Sequence, residues 1–217
     1  MTFLNKCITL NKKQTLVCSL LCIASMTAGA ANTDSQGWNV VSDDSGVTVS
    51  TRDVVNHDIN EIRAETKLKA SVNQLVSLFM DVNKCGLWAE NCDSSKILNR
   101  QSDNEFNLYR MIENPWPFSN RDYLLHVKVE KSTETGSTII TYENLKNQMA
   151  ENDCCIRSNI VKGFWKFTPA SDGFTQVTYQ FHTDPGGALP ASLLNNVMPD
   201  LPVNLLKAIS KEVSNAL

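Results

Sequence analysis

Residues 61–70 alternate without a break. Ile62, Ala64, Thr66, Leu68 and Ala70 fall on one side, and Glu61, Arg63, Glu65, Lys67 and Lys69 on the other. Successive side chains of a strand point to opposite faces. This segment is therefore an extended strand with one covered face and one hydrated face, the habit of antiparallel sheets. Whatever the chain folds into must place a sheet over a core and leave its back in water.

The neighbouring segments fit that constraint. Ser71 ends the strand and caps a helix, with Gln74 three residues on completing a capping box. Val72, Leu75, Val76, Phe79 and Val82 recur at helical spacing, so this helix lays an apolar stripe on the sheet. Before the alternating strand, a short strand is predicted from Trp38 to Val41. Asp43-Asp44-Ser45-Gly46 turns the chain, and a second strand alternates Val47, Val49 and Thr51 with Thr48, Ser50 and Arg52. After a bend holding Gly86 and Trp88, strands are predicted near 95–101, 105–113, 122–131, 137–145, 155–168 and 174–183. That makes nine strands with mostly short connections, so neighbours should run antiparallel.

Asp184-Pro185-Gly186-Gly187 breaks the last strand, and Pro190 opens a helix where proline is tolerated. Leu193, Leu194, Val197, Met198 and Leu201 form its stripe, which Leu205, Leu206 and Ile209 continue. Pro199 and Pro202 should kink or split it. The expected class is α+β: a long curved nine-stranded antiparallel sheet gripped by a C-terminal helix.

The N-terminus reads differently. Lys6, Lys12 and Lys13 precede a mostly apolar run from Thr15 to Met26, which is shorter than the roughly 20 residues a spanning helix needs. Ala28-Gly29-Ala30 has the small-residue pattern of a signal cleavage site. Residues 1–30 are expected to be a bacterial secretory signal cut near Ala30, the alternative being an uncleaved N-terminal anchor. Residues 31–37 form a polar lead-in, and 38–217 form one domain in the periplasm or outside the cell. Leu21 before Cys22 argues against a lipid-modified cysteine. Cleavage would take the net charge from −3 to −6, because the signal holds three lysines and no acid. An acidic chain without a basic run speaks against nucleic acid as partner and leaves only transient membrane contact.

Four cysteines remain beyond residue 30. In an oxidising compartment Cys85 and Cys92 could close a loop, and the alternative is four buried thiols. Cys154 and Cys155, read as neighbours on one strand, should point to opposite faces, so bridging each other would be strained. Metal ligation lacks the paired spacing it needs. No G-x-S-x-G or H-E-x-x-H pattern is present, and His57, His126 and His182 are read as solvated.

The residues expected to face inward are Tyr109, Met111, Val127, Val129, Tyr142, Trp165, Phe167, Tyr179 and Phe181. Tyrosine and tryptophan join an apolar body to one polar tip, which suits a ligand with long apolar parts and a small head. The alternative is a core that simply fills the domain. Arg157 sits in an otherwise apolar strand and needs a carboxylate or a ligand phosphate. Arg121 and Asp122 open a strand in a structural role, with binding of a ligand headgroup as the alternative. Trp88 and Trp116 lie in bends, packed or facing a membrane.

One stretch is more specific: Pro115-Trp116-Pro117-Phe118-Ser119-Asn120-Arg121-Asp122-Tyr123. It stands in order with Trp38 and its Asp-Ser-Gly turn, with Asp81, Trp88 and Cys92, with Arg157, with Gly163-Phe164-Trp165, and with Asp184-Pro185-Gly186-Gly187 through Pro190. Together these resemble the START lipid-transfer family, with the phosphatidylcholine-transfer branch most similar. The resemblance spans Trp38 to about Val213. It implies the helix-grip fold shared with Bet v 1-like proteins, and one phospholipid, sterol or similar lipid held in an internal hydrophobic tunnel. It implies no metal, nucleotide or other cofactor, no catalysis, and a monomer. On that reading the ligand contacts are Tyr109, Met111, Tyr142, Arg157, Trp165, Tyr179, Phe181, Leu194, Val197 and Met198. The Asp184–Gly187 loop and the helix after it would act as its gate. The alternatives are a cyclase- or hydrolase-like enzyme on the same scaffold and a module that senses a hydrophobic molecule or chaperones another protein.

Overall fold

The computed structural model describes residues 34–89, 91–116, 118–145 and 153–215, so the expected signal at 1–30 lies outside it. Within these residues ten strands form one sheet. They are β1 (Asn39–Asp44), β2 (Val47–Val54), β3 (His57–Leu68), β4 (Cys92–Ser102), β5 (Glu105–Ile112), β6 (Asn120–Lys131), β7 (Thr138–Asn144), β8 (Cys155–Arg157), β9 (Asn159–Pro169) and β10 (Thr175–Asp184). Nine of them run antiparallel in the order β1-β2-β3-β10-β9-β7-β6-β5-β4. The tenth is a correction to the single expected strand at 155–168. That segment divides at Ser158, and three-residue β8 pairs parallel to the start of β6, aligning Asp122 with Arg157.

Helix α1 (Val72–Met80) begins as the sequence indicates. Ser71 Oγ accepts from the Gln74 amide at 3.3 Å and Gln74 Oε1 accepts from the Ser71 amide at 2.9 Å, a reciprocal capping box. Leu75, Val76 and Phe79 are its buried face. Each such side chain contributes about 1.5–3 kcal/mol on burial. A 3₁₀ segment (Val82–Leu87) carries the chain to Trp88. At the far end of the sheet, Trp38 is held between the Arg52 and Arg63 guanidiniums, 4.4 and 4.3 Å from its ring centre. Arg52 is itself paired with buried Glu61.

The C-terminal helical run divides where the prolines fall. Helix α2 (Ala191–Val197) passes through a single 3₁₀ turn at Met198–Asp200 into α3 (Leu201–Asn215). Pro199 lies in that turn, and Pro202 falls in the first turn of α3, where its missing N–H costs nothing. Leu206, Ile209 and Val213 bury the face of α3 that grips the sheet. The fold is the helix-grip fold, a curved antiparallel sheet around a C-terminal helix.

Both cysteine pairs are joined. Cys85 and Cys92 form a disulfide with Cα atoms 5.8 Å apart, within ordinary disulfide reach. Cys154 and Cys155 also form one, against expectation. The two do not share a regular strand: Cys154 lies in the preceding turn and β8 starts at Cys155, so their side chains are not forced to opposite faces.

Candidate functional site

The inner face of the sheet is built in two halves. In one, Phe79 of α1 packs 4.6 Å from Trp88, 4.6 Å from Trp165 and 5.4 Å from Phe167, ring centre to ring centre. This half is solid. In the other, between the sheet and α2–α3, lies a cavity of about 550 Å³. Ligand pockets run to about 300–1,000 Å³. Register explains part of the opening. Gly163 of β9 sits opposite Tyr142 on one side and Phe181 on the other, so the position between two large inward residues carries no side chain.

The walls come from every layer. The strands supply Arg110, Ile112, Arg121, Tyr123, Leu125, Tyr142, Trp165, Tyr179, Phe181 and Thr183. Helices α2 and α3 with the turn between them supply Leu193, Leu194, Val197, Met198, Leu201, Pro202 and Leu205, and Trp88 adds a wall from the bend. Trp165 and Tyr179 stack face to face at 3.8 Å, and Tyr179 continues to Phe181 at 4.8 Å, so one wall is a continuous aromatic plate. Burial pushes the Tyr142, Tyr179 and Tyr123 hydroxyls above the usual tyrosine range, so they are neutral donors.

Seven of the ten expected contacts line this cavity: Tyr142, Trp165, Tyr179, Phe181, Leu194, Val197 and Met198. Tyr109 and Met111 do not. The expected facing of β5 is one residue out of step with the structure, which reverses its faces. Phe106 and Leu108 pair with Val127 and Leu125 and point inward with Arg110 and Ile112. Tyr109 lies instead under Lys96, 5.5 Å from its ring centre, and the Met111 sulfur touches the Cys154 and Cys155 sulfurs at 3.7 and 3.4 Å.

Arg157 is also placed elsewhere. Its Nε and Nη2 donate to the two oxygens of fully buried Asp122 at 2.8 and 2.9 Å, a bidentate pair. It joins β8 to β6 and is absent from the cavity wall. Neighbouring Arg121 donates through Nε to Pro185 O at 3.1 Å and through Nη2 to Gly186 O at 3.4 Å, and also to Ser119 O. The nine-residue stretch beginning at Pro115 therefore clasps the Asp184–Gly187 loop, and Ser158 Oγ adds a bond to Pro185 O at 2.9 Å.

His182 also departs from its expected solvation. It is buried, its Nε2 lies 3.0 Å from Ile59 O, and desolvation lowers its pKa. Sequence reasoning missed Arg110. Extending the Phe106–Leu108 alternation by one step would have found it.

Phe118, Leu193, Val197 and Leu201 are cavity residues that also reach the surface, and Trp116 beside them is 93% exposed. They mark an apolar rim. A second depression, about 670 Å³, lies between β2–β3 and α3 but is lined largely by polar groups such as Thr48, Glu65, Lys67, Gln176 and Lys207. Among the described residues no group of three or more His, Cys, Asp or Glu is placed to hold a metal ion.

Known proteins resemble this chain in sequence and in fold. The family model for the START domain matches residues 23–214. An uncharacterized protein of Pseudomonas aeruginosa is 32% identical over 180 residues, spanning 83% of this chain and 88% of that one. The crystal structure of a STAR-related lipid transfer protein from Xanthomonas axonopodis is 30% identical with a TM-score of 0.74, covering 82% of this chain and 99% of that chain. Human StAR-related lipid transfer protein 5 shares the fold with a TM-score of 0.75 at 21% identity, covering 84% and 88% respectively.

Proposed function

This chain belongs to the START domain family, and from that membership we propose that it binds a single phospholipid, sterol or similar lipid in an internal tunnel and carries or presents it in the periplasm. The observation that carries the reading is the cavity of about 550 Å³ between the sheet and the C-terminal helices. A packed core would have filled that space with side chains. Instead its aromatic and aliphatic walls offer an apolar ligand the burial that drives it out of water.

The protein acts as a carrier rather than a catalyst. Acyl transfer or hydrolysis needs a nucleophile beside a general base. Among the described residues, no His, Ser, Cys, Asp or Glu lines this cavity. The protein works as a monomer without a cofactor. It meets membranes briefly through the apolar rim, where Trp116 suits the boundary between headgroups and chains. Its acidic charge keeps that contact short on anionic surfaces.

Transfer of a fluorescent phospholipid between donor and acceptor vesicles tests this. The protein should speed transfer in proportion to its concentration. Trp116→Ala should slow transfer severalfold while leaving bound lipid per protein unchanged. No acceleration with any phospholipid or sterol probe would contradict the reading.

A further inference from the structure

Arg110 is the anomaly of the cavity. Its guanidinium stands in an apolar wall with its charged group 5.3 Å from the ring centre of Trp88. The cation–π contact is its one attractive partnership among the described residues: it has neither an ion pair nor a hydrogen bond. Its Nε is sealed from solvent without an acceptor, and so is the indole Nε1 of Trp88. Two N–H donors, one of them charged, are thus orphaned in neighbouring walls of one cavity. Buried polar groups in native proteins are overwhelmingly paired, and a buried charge without a partner is costly.

Among the described residues Arg110 has no counter-ion. Among the described residues, no Asp or Glu lines the cavity. The tyrosines nearby are held neutral by burial, so none offers a phenolate. The other cavity arginine, Arg121, is spent on loop carbonyls and adds to the positive potential. The buried carboxylates Asp122 and Glu61 are engaged, the first by Arg157 and the second by Arg52 and Gln180. Among the described residues the walls therefore hold positive charge but no anionic acceptor to match it; the oxygens they do present, from Asn91, Asn114, Thr183 and the tyrosines, are neutral.

We propose that the ligand of this cavity carries an anionic oxygen head, a carboxylate or a phosphate, received by the Arg110 guanidinium. The inference rests on the lipid-carrying reading above and narrows it to acidic amphiphiles. The geometry suits the chemistry. A guanidinium presents several donors in one plane and matches carboxylate or phosphate oxygens two at a time. In a water-poor cavity such a bond is stronger than on a surface. A neutral head would leave the charge unmatched, and specificity arises from that penalty as much as from the new bonds.

Matched ligand pairs test it. The purified, delipidated protein is loaded from cyclodextrin with oleate or oleyl alcohol, and with dioleoyl phosphatidate or dioleoylglycerol. Binding is read by native mass spectrometry. The anion of at least one pair should bind about ten times more tightly than its neutral twin, a difference of the size expected for a charge-assisted bond, and which pair shows it separates a carboxylate source from a phosphate source. Arg110→Gln should bring the anion down to the level of its neutral twin measured in the same variant. Arg110→Lys should keep part of the preference. Arg110→Met should raise the melting temperature of the lipid-free protein by removing the unmatched charge.

Equal binding within both pairs, or a preference that survives in Arg110→Gln, overturns the inference while leaving the carrier reading intact. Loss of neutral and anionic ligands together in a folded Arg110→Gln protein also overturns it, since Arg110 would then shape the cavity rather than read charge. If the unaltered protein binds none of the four, the carrier reading fails and takes this one with it.

Discussion

Arg110 and Arg157 stand in similar apolar company along the chain, and the fold treats them oppositely. Arg157 reaches fully buried Asp122 and ties β8 to β6. Removing one member of a buried ion pair strands the other, at a cost of about 3–5 kcal/mol. Arg157→Ala should therefore destabilise the fold by that much in urea unfolding, and a double replacement of Arg157 and Asp122 by apolar residues should recover much of it. If Arg157 instead held the ligand, Arg157→Ala would lose bound lipid with little loss of stability. The sequence leaves Arg157 open between ion pair and ligand because Asp122 lies 35 residues away, and only the parallel pairing of β8 with β6 brings them together. Arg110 is hidden by chemistry. Tyr109 and Met111 are the more apolar choice for an inward face, so hydrophobic patterning favours the wrong register when an arginine faces in.

Helix α2 is the element expected to open. Asn195 clamps it to the start of β3: its Nδ2 donates to Asp58 O at 2.9 Å and its Oδ1 accepts from the Asn60 amide at 3.0 Å. The Asp184–Gly187 loop before it is less free than two adjacent glycines suggest. Gly186 and Gly187 have φ of +65° and +79°, and a Cβ on Gly186 would lie 2.9 Å from Ile156 Cγ2 and 3.1 Å from Arg157 O. Those glycines serve a tight, left-handed fit against β8, with Arg121 and Ser158 fastening the loop. Opening is then expected at the Asn195 clamp, with the loop as its fixed end. A disulfide made by Asn60→Cys with Asn195→Cys should stop lipid exchange between vesicles when oxidised and restore it when reduced, with circular dichroism unchanged. Exchange at the same rate in both states would rule out α2 as the gate. The helix itself is legible from its apolar stripe and prolines, but its clamp is not, since an asparagine at mid-helix has no sequence signature for a distant backbone partner.

The architecture of the molecule is the most legible part. Period-two alternation in β3, the Ser71–Gln74 capping box and the C-terminal stripe each specify a local element, and short connections leave an antiparallel order as the simple solution. The cavity is not legible in the same way. Aromatic residues facing inward can fill a core or line a hollow, and Trp165 does both, packing on Phe79 while walling the cavity beside Tyr179. The deciding quantity is the three-dimensional sum of side-chain volumes, including the bare position at Gly163 between Tyr142 and Phe181. On the proposed function this hollow holds one lipid. Native mass spectrometry of the gently purified protein, combined with lipid extraction, tests it most directly. One lipid per chain, recovered as a single class in the extract, is the result expected. Protein that arrives empty and takes up neither phospholipid nor sterol from vesicles would contradict it.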